Sequence, residues 1–94
     1  LNFLQSAKMV GVAVAPEDML PDRILFAAGG HIGSSIAIAK EILRDAVKRK
    51  QEVLQLEHAD RVYRKINKAC SVTPFQGADW KAVKAELEAL GWAA

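Results

Sequence analysis

A glycine-rich stretch, AGGHIGSS at residues 28–35, is the first place in this sequence where residue types and spacing suggest chemistry. Three of its residues are glycines, which let backbone amides approach a phosphate closely. A phosphate-binding loop also needs a lysine after its last glycine to neutralise the terminal phosphates, whereas Gly33 is followed by Ser34 and Ser35. The stretch is therefore not a self-sufficient nucleotide site.

A weaker anion contact stays open at the same place, with a plain turn between two helices as the alternative. The amides of Ile32, Gly33 and Ser34 would begin a helix without intrahelical acceptors, and the helix dipole favours an anion there. The candidate cofactor-binding residues are Gly30, His31, Gly33 and Ser34.

Metal and nucleophile chemistry lack comparable support. His31 and His58 do not have the spacing of shared metal ligands, and a single histidine beside a helix start is more often a cap or a surface residue. Cys70 is the only cysteine, so no disulfide can form within the chain, and we interpret it as a packing residue. We expect no catalytic residue and no metal ligand.

Two basic segments are the second candidate for chemistry, which is contact with nucleic-acid phosphates. Five cations and two acids lie between Lys40 and Lys50, and four cations with no acid among them lie between Arg61 and Lys68. Cations on an outward helix face neutralise phosphates without reading bases. The predicted DNA-binding residues are Arg61, Arg64, Lys65 and Lys68, followed by Arg44, Lys48 and Arg49.

The alternative interpretation of these cations is an ordinary solvated helix surface. The net charge of the chain is only +2, which by itself does not indicate a nucleic-acid binder. Glu52, Glu57 and Asp60 could also neutralise part of the basic surface.

Helical periodicity provides the elements that would position these residues. It predicts five helices, at about residues 1–14, 23–28, 32–50, 57–69 and 79–90. Asp22 is the predicted N-cap of the second helix, Gly29 or Gly30 its end, and Gly91 the C-cap of the last.

Apolar stripes predict which side of three of these helices is buried. The stripe of the third helix consists of Ile32, Ile36, Ala39, Leu43, Ala46 and Val47; that of the fourth, of Ala59, Val62, Ile66 and Ala69; that of the fifth, of Trp80, Val83, Leu87 and Leu90. Val53 and Leu56 are expected to pack in the connection before the fourth helix. No strand pattern of useful length is present.

The fold predicted from these elements is all-α, a compact bundle of about five helices forming one domain over residues 1–94. No uncharged run is long enough to cross a bilayer, and the single cysteine fits a reducing compartment. We therefore expect a cytoplasmic protein with no membrane partner.

One part of the chain resembles a known family. The run DRILFAAGGHIGSSIAIAKEILRDAVKRKQEVLQLEHADRVYRKI resembles the C-terminal helical lid of AAA+ ATPases, with a short helix, a glycine turn, a long helix and a further helix in that order. GGHIG, AIAKEILRDAVKRK and the TPF at residues 73–75 are similar to the transposition regulators TniB and TnsC. The resemblance covers residues 22–66, extends loosely to residue 75, and gives no support to residues 76–94.

The resemblance implies that the chain is the C-terminal, lid-like part of a longer ATPase that uses ATP and Mg, binds target DNA non-specifically, assembles as a homo-oligomer and recruits a transposase. The chain itself has no Walker motif, so it is expected to be a non-catalytic lid and interaction module. AAA+ lids carry an arginine, sensor 2, that reaches the γ-phosphate, and Gly33 occupies its place here. Only backbone amides remain to approach a nucleotide.

Two other functions stay open. The chain could be an adaptor that binds a transposase or a neighbouring subunit through its last helix or the flanks of that helix, without DNA contact. Trp92, beyond Gly91, would either dock on the partner or pack back on its own bundle. It could also be an independent helix-turn-helix regulator, which would bind DNA with sequence selectivity.

Overall fold

The computed structural model describes residues 3–68 and 72–92, and within them it confirms a largely helical fold with five α-helices. The helices are α1 (Phe3–Met9), α2 (Leu20–Ala27), α3 (Ile32–Lys48), α4 (Leu56–Ile66) and α5 (Trp80–Ala89). A 3-10 turn lies at Pro16–Asp18, and two short strands are β1 (Ala13–Val14) and β2 (Val53–Leu54).

The two strands depart from the predicted fold. β1 pairs with β2 in parallel, with Ala13 opposite Val53 and Val14 opposite Leu54. Two-residue strands are too short to show an alternating pattern, so the sequence could not reveal them. Leu54 is fully buried whereas Val53 is half exposed, which corrects the prediction that Val53 packs inside.

The first helix is shorter than predicted. It ends at Met9, and Gly11 follows with a left-handed φ of 77° that directs the chain into β1. The backbone amide of Val12 still donates to the Ala7 carbonyl at 2.9 Å, and the Val12 side chain is buried.

The second helix begins earlier than predicted. Met19, in the left-handed region with a φ of 53°, is its N-cap, so Asp22 lies inside the first turn and is not the cap. Its end is as predicted: Gly29 and Gly30 have φ of 63° and 80°, and their amides donate to the carbonyls of Phe26 and Leu25. These two hydrogen bonds end α2 in the way that is usual where a left-handed glycine follows a helix.

The main core forms where α3 packs between α2 and α4. The buried side of α3 consists of Ser35, Ile38, Ala39, Ile42, Leu43 and Ala46. Three members of the predicted stripe, Ile32, Ile36 and Val47, are exposed instead, so that prediction was half wrong. The helix has apolar residues on two adjacent sides, and periodicity alone does not say which side meets α2 and α4.

The prediction for α4 was better. It begins at Leu56 and ends at Ile66, and Ala59 and Val62 are buried as expected. Tyr63 also packs inside, against Phe75 at a ring distance of 5.5 Å, while Ile66 is half exposed. The predictions for Ala69 and Cys70 lie outside the described residues.

The last helix builds a smaller second cluster. Asp79 is its N-cap and accepts a hydrogen bond from the Lys81 amide at 3.2 Å. Trp80 and Leu87 are buried, whereas Leu90, the last residue of the predicted stripe, is exposed. Gly91, with a φ of 98°, closes the helix as predicted.

Trp92 packs on the protein's own second cluster. Its ring stacks on that of Phe26 with centroids 6.2 Å apart and planes within 8° of parallel. Its amide donates to the Leu87 carbonyl, so the closing turn of α5 positions the ring.

Arg23 clamps the segment before α5 to the rest of the protein. It is completely buried, and its guanidinium donates to the carbonyls of Asp18 at 2.6 Å, Pro74 at 2.9 Å and Ala78 at 3.2 Å. It also lies 5.3 Å from the centre of the Trp80 ring. Three carbonyls on two separate segments are thereby satisfied by one side chain.

The TPF motif is a structural element of the same region. The Thr73 hydroxyl donates to the Asp60 carboxylate on α4 and accepts from the Phe75 amide at 3.2 Å. Thr73, Pro74 and Phe75 are all buried. The motif therefore fixes this segment against α4.

Candidate nucleic-acid interface

The groove between α3 and α4 collects three of the seven predicted DNA-binding residues. Arg44 and Lys48 are one helical turn apart on α3, and Lys65 faces them from α4. The full lining is Glu41, Arg44, Asp45, Lys48, Val62, Lys65 and Ile66. We call this the α3/α4 groove.

Four of the predicted cations are held by acids. Arg44 pairs with Glu41 at 2.8 Å and Arg64 with Asp60 at 3.0 Å. Both are short-range helical pairs, and the Arg44 pair is open to solvent and contributes little to stability. Arg44 can therefore leave its partner for a phosphate at little cost.

Asp45 binds the other two arginines. One of its carboxylate oxygens accepts from Arg49 and the other from Arg61, each at 3.0 Å. Burial pushes the pKa of Asp45 up, but the hydrogen bonds and charges of the two arginines outweigh burial and hold its pKa below the ordinary value. Because Arg61 lies on α4, its ion pair with Asp45 joins α4 to α3. Arg49 and Arg61 therefore stabilise the fold.

The remaining predicted cations are three lysines. Within residues 3–68 and 72–92, no carboxylate lies within 4 Å of Lys48, Lys65 or Lys68. Lys48 and Lys65 line the α3/α4 groove, whereas Lys68 lies beyond the end of α4 and is not among the lining residues. The groove thus offers Arg44, Lys48 and Lys65 to a ligand.

The acids that neutralise this surface are mostly not those the sequence suggested. Asp60 was expected to do so and does, but the other two are Glu41 and Asp45, in place of Glu52 and Glu57. Helical spacing was the available signal, because residues three and four positions apart share a helix face. That spacing identifies Glu41–Arg44, Asp45–Arg49 and Asp60–Arg64.

The glycine turn places the four candidate cofactor-binding residues at the start of α3. His31 is the N-cap and makes no side-chain capping hydrogen bond, and Gly33 and Ser34 lie exposed in the first turn. Gly30 closes the preceding helix through its left-handed φ. The first amide of α3 that is bonded to the chain is that of Ser35, which donates to the His31 carbonyl at 2.9 Å.

The two predicted sites lie far apart along α3. The helix has 17 residues, and Gly33 precedes Arg44 by eleven positions, which corresponds to about 16 Å along the axis. The structure therefore does not bring the glycine turn and the basic groove together. They form two separate surfaces.

The second histidine, His58, is a capping residue. Its Nδ1 accepts a hydrogen bond from the Gln55 amide at 3.4 Å at the start of α4. In the described part of the chain, no three histidine, cysteine or acidic side chains cluster in a way that could hold a metal ion. No described helix is both long and apolar enough to span a bilayer.

Comparison with protein-family models, with curated proteins and with solved structures gives no match for this chain. The resemblance to AAA+ lids therefore remains a prediction from the sequence.

Proposed function

We propose that this chain is a non-catalytic interaction domain that binds the phosphate backbone of DNA through the α3/α4 groove. The observation that carries the proposal is the convergence of Arg44, Lys48 and Lys65 from two helices on one groove, with both lysines outside the reach of any described carboxylate. Duplex DNA is the partner whose charge density fits such a row of cations.

The spacing of the cations suits neighbouring phosphates. Arg44 and Lys48 are four residues apart, about 6 Å along the helix axis. Phosphates of one strand follow each other at about 3.4 Å along the duplex axis. Arg44 and Lys48 can thus contact different phosphates, and each contact releases counterions. Binding is expected to be independent of base sequence and to weaken with salt.

We further propose that the parent protein is a TniB/TnsC-like AAA+ transposition ATPase of which this chain is the lid. The support is the order of α2, the glycine turn, α3 and α4, which is the order that the resemblance implies. ATP and Mg would bind the ATPase module, and a transposase and further copies of the parent would be its partners. Gly33 supplies no sensor arginine, so only backbone amides at the start of α3 are available to a nucleotide.

The alternative helix-turn-helix function has less support. Recognition helices read bases with polar side chains near their N-terminus. The exposed residues in the first turns of α3 are His31, Ile32, Gly33, Ser34, Ile36 and Ala37. Only His31 and Ser34 can hydrogen-bond to a base edge. We therefore favour backbone contact over sequence readout.

The test is fluorescence anisotropy with a labelled mixed-sequence duplex at several salt concentrations. The variant Lys48→Glu/Lys65→Glu reverses two groove charges, and Lys81→Glu/Lys84→Glu makes the same charge change on α5. We expect the groove variant to lose at least about tenfold in affinity and to lower the slope of log K against log salt by roughly one per lost phosphate contact. The α5 variant should bind almost as the unaltered protein does.

Equal losses in both variants would show that only net charge matters and would contradict the assignment of the groove. A second duplex of unrelated sequence tests the other alternative. A large preference for one duplex would favour helix-turn-helix readout over backbone binding.

A further inference from the structure

A second groove lies on the other side of the same α3 cations. Its lining is Val10, Lys40, Leu43, Arg44, Val47 and Lys48, from the residue just after α1 and from α3. We call it the α1/α3 groove. Val10 and Val47 are each 48% exposed there, although both are large apolar side chains.

The apolar character extends along α3 beyond this groove. Ile36 precedes Leu43 by two helical turns and is exposed, and Ile32 lies one turn earlier and is 64% exposed. Ile32, Ile36 and Val47 thus form an exposed stripe along α3, beside the buried Leu43 and on the side turned away from Ile38 and Ile42. An extended exposed stripe of this kind is typical of a surface that a partner covers.

Cations border the stripe along one edge. Lys40, Arg44 and Lys48 follow each other at four-residue intervals and form a ridge along α3. None of the residues that line the α1/α3 groove is acidic. Within the described chain, Lys40 and Lys48 have no carboxylate within 4 Å. The groove therefore combines an apolar floor with a positively charged rim.

We propose that the α1/α3 groove is the docking site for an acidic amphipathic helix of a partner protein. Such a helix would place apolar side chains on Val10, Leu43 and Val47 and carboxylates along Lys40, Arg44 and Lys48. This is the helix-in-groove mode, in which apolar side chains at helical spacing supply affinity and charges set orientation.

The apolar floor of the groove separates this partner from DNA. DNA gains nothing from covering valine and leucine side chains, whereas a helix buries them. A membrane surface also covers exposed apolar residues, so phosphatidylserine vesicles are tested as a separate probe. The proposal does not depend on the DNA-binding function, because it rests on Val10, Lys40 and Val47, which lie outside the α3/α4 groove.

The probe is a labelled helical peptide of about four turns, with leucines on one side, glutamates on both flanks and alanine elsewhere. The control peptide has the same composition in scrambled order. We expect the protein to bind the amphipathic peptide and not the scrambled one. Val47→Asp should raise Kd by about tenfold or more, since it puts a carboxylate on the apolar floor. Leu90→Asp, at an exposed apolar residue that follows α5, should leave Kd unchanged.

Two single substitutions separate peptide docking from DNA binding. Lys40 lines only the α1/α3 groove, and Lys65 lines only the α3/α4 groove. Lys40→Glu should lower the affinity for the peptide by about threefold to tenfold and leave the affinity for DNA unchanged. Lys65→Glu should lower the affinity for DNA and leave the affinity for the peptide unchanged. If the unaltered protein and both variants fail to bind DNA, while Lys40→Glu still weakens peptide binding and Lys65→Glu does not, the proposed function is wrong and the docking site stands.

Several outcomes would overturn the docking proposal. Equal affinity for the two peptides would show that no amphipathic helix is recognised. An unchanged Kd in Val47→Asp, with an unchanged circular dichroism spectrum, would remove the groove from the interaction. Binding to phosphatidylserine vesicles without binding to the peptide would assign the surface to a membrane. Concentration-dependent self-association abolished by Val47→Asp would assign it to a second copy of the chain.

Discussion

The two grooves that flank α3 share Arg44 and Lys48 but differ in what surrounds these cations. In the α3/α4 groove the neighbours are the acids Glu41 and Asp45, the lysine Lys65 from α4, and two apolar residues of α4, Val62 and Ile66. In the α1/α3 groove the neighbours are apolar, and no lining residue is acidic. The same two cations thus face a mixed groove that contains acids on one side and an apolar groove without acids on the other.

We infer that the residues beside a cation, and not the number of cations, determine which partner the cation binds. A phosphate backbone needs charge and tolerates acids that are already paired. A protein helix needs apolar surface to bury, and charge mainly orients it. The predictions below test whether the two grooves are distinct in this way.

The largest expected effect comes from Arg23, because it supports the scaffold that both grooves share. Burial lowers the pKa of Arg23, and the charges of Asp18 and Asp79 oppose this effect. The Arg23 guanidinium is the side-chain donor to three backbone carbonyls. Arg23→Met should cost about 3 kcal/mol of the free energy of unfolding, since the buried carbonyl of Pro74 and the partly buried carbonyls of Asp18 and Ala78 lose their partner. Urea denaturation measures it.

Arg23→Met should also weaken DNA and peptide binding together if the grooves share one cooperative unit. Loss of stability below about 1 kcal/mol would contradict the clamp. Retention of one binding activity in the destabilised protein would show that the grooves fold independently.

Asp45→Asn should produce the next largest effect. It removes one of the two acids that line the α3/α4 groove and so makes this groove more like the α1/α3 groove, which has none. It removes the α3 carboxylate that binds Arg49, the C-cap of α3, and Arg61 on α4, at an expected cost of about 1–2 kcal/mol, and it frees both arginines for DNA. We expect stability to fall and DNA affinity to rise. Lower DNA affinity without unfolding would mean that Asp45 positions the groove cations for DNA.

The stability difference between Asp45→Asn and the unaltered protein should depend on pH. The folded pKa of Asp45 is lowered, so its contribution is present above the unfolded pKa of about 3.9 and is lost as the pH falls through the folded pKa. Thermal unfolding of both proteins between pH 7 and pH 2 should therefore converge at the acid end. Parallel curves would contradict the role of the carboxylate.

Lys48→Glu should have a smaller effect, and it should act on both grooves at once. Lys48 lines both grooves, so reversing its charge is expected to lower the affinities for DNA and for the peptide by about threefold to tenfold each. Anisotropy with the two probes measures both. An effect on one ligand alone would show that the ridge serves a single partner.

The smallest effect is expected two residues later. Lys50 has a left-handed φ of 56° in the turn that closes α3, where its amide donates to the Val47 carbonyl. Lys50→Gly should stabilise the protein by about 0.5–1 kcal/mol because glycine adopts this conformation without strain. The affinities for DNA and for the peptide should stay unchanged, in contrast to Lys48→Glu. A loss of either affinity would show that Lys50 also contacts that ligand.

The sequence predicted the elements better than the way they pack. The end of α2 at Gly29 and Gly30 and the bounds of α5 depend on local turn chemistry, so they were predictable. The strands β1 and β2 depend on a contact between residues forty positions apart, which no local pattern shows. The buried arginine Arg23 was missed for the same reason, because two of its three acceptors lie more than fifty positions away.

The candidate sites were predictable only in composition. The cations Arg44, Lys48 and Lys65 were predicted, but the sequence did not show that they meet at one groove. Val47 in the α1/α3 groove was mistaken for core, since it lies next to the buried Leu43 and is apolar as well. Which of two neighbouring sides is buried depends on the other helices.

Nuclear magnetic resonance tests the separation of the two grooves most directly. Amide chemical shifts of the 15N-labelled protein are recorded with the duplex and, separately, with the acidic amphipathic peptide. The duplex is expected to shift Lys65 and its neighbours on α4 and to leave Val10 unmoved; the peptide is expected to shift Val10 and Val47 and to leave Lys65 unmoved. The same set of shifts with both ligands, or none with either, would contradict the account.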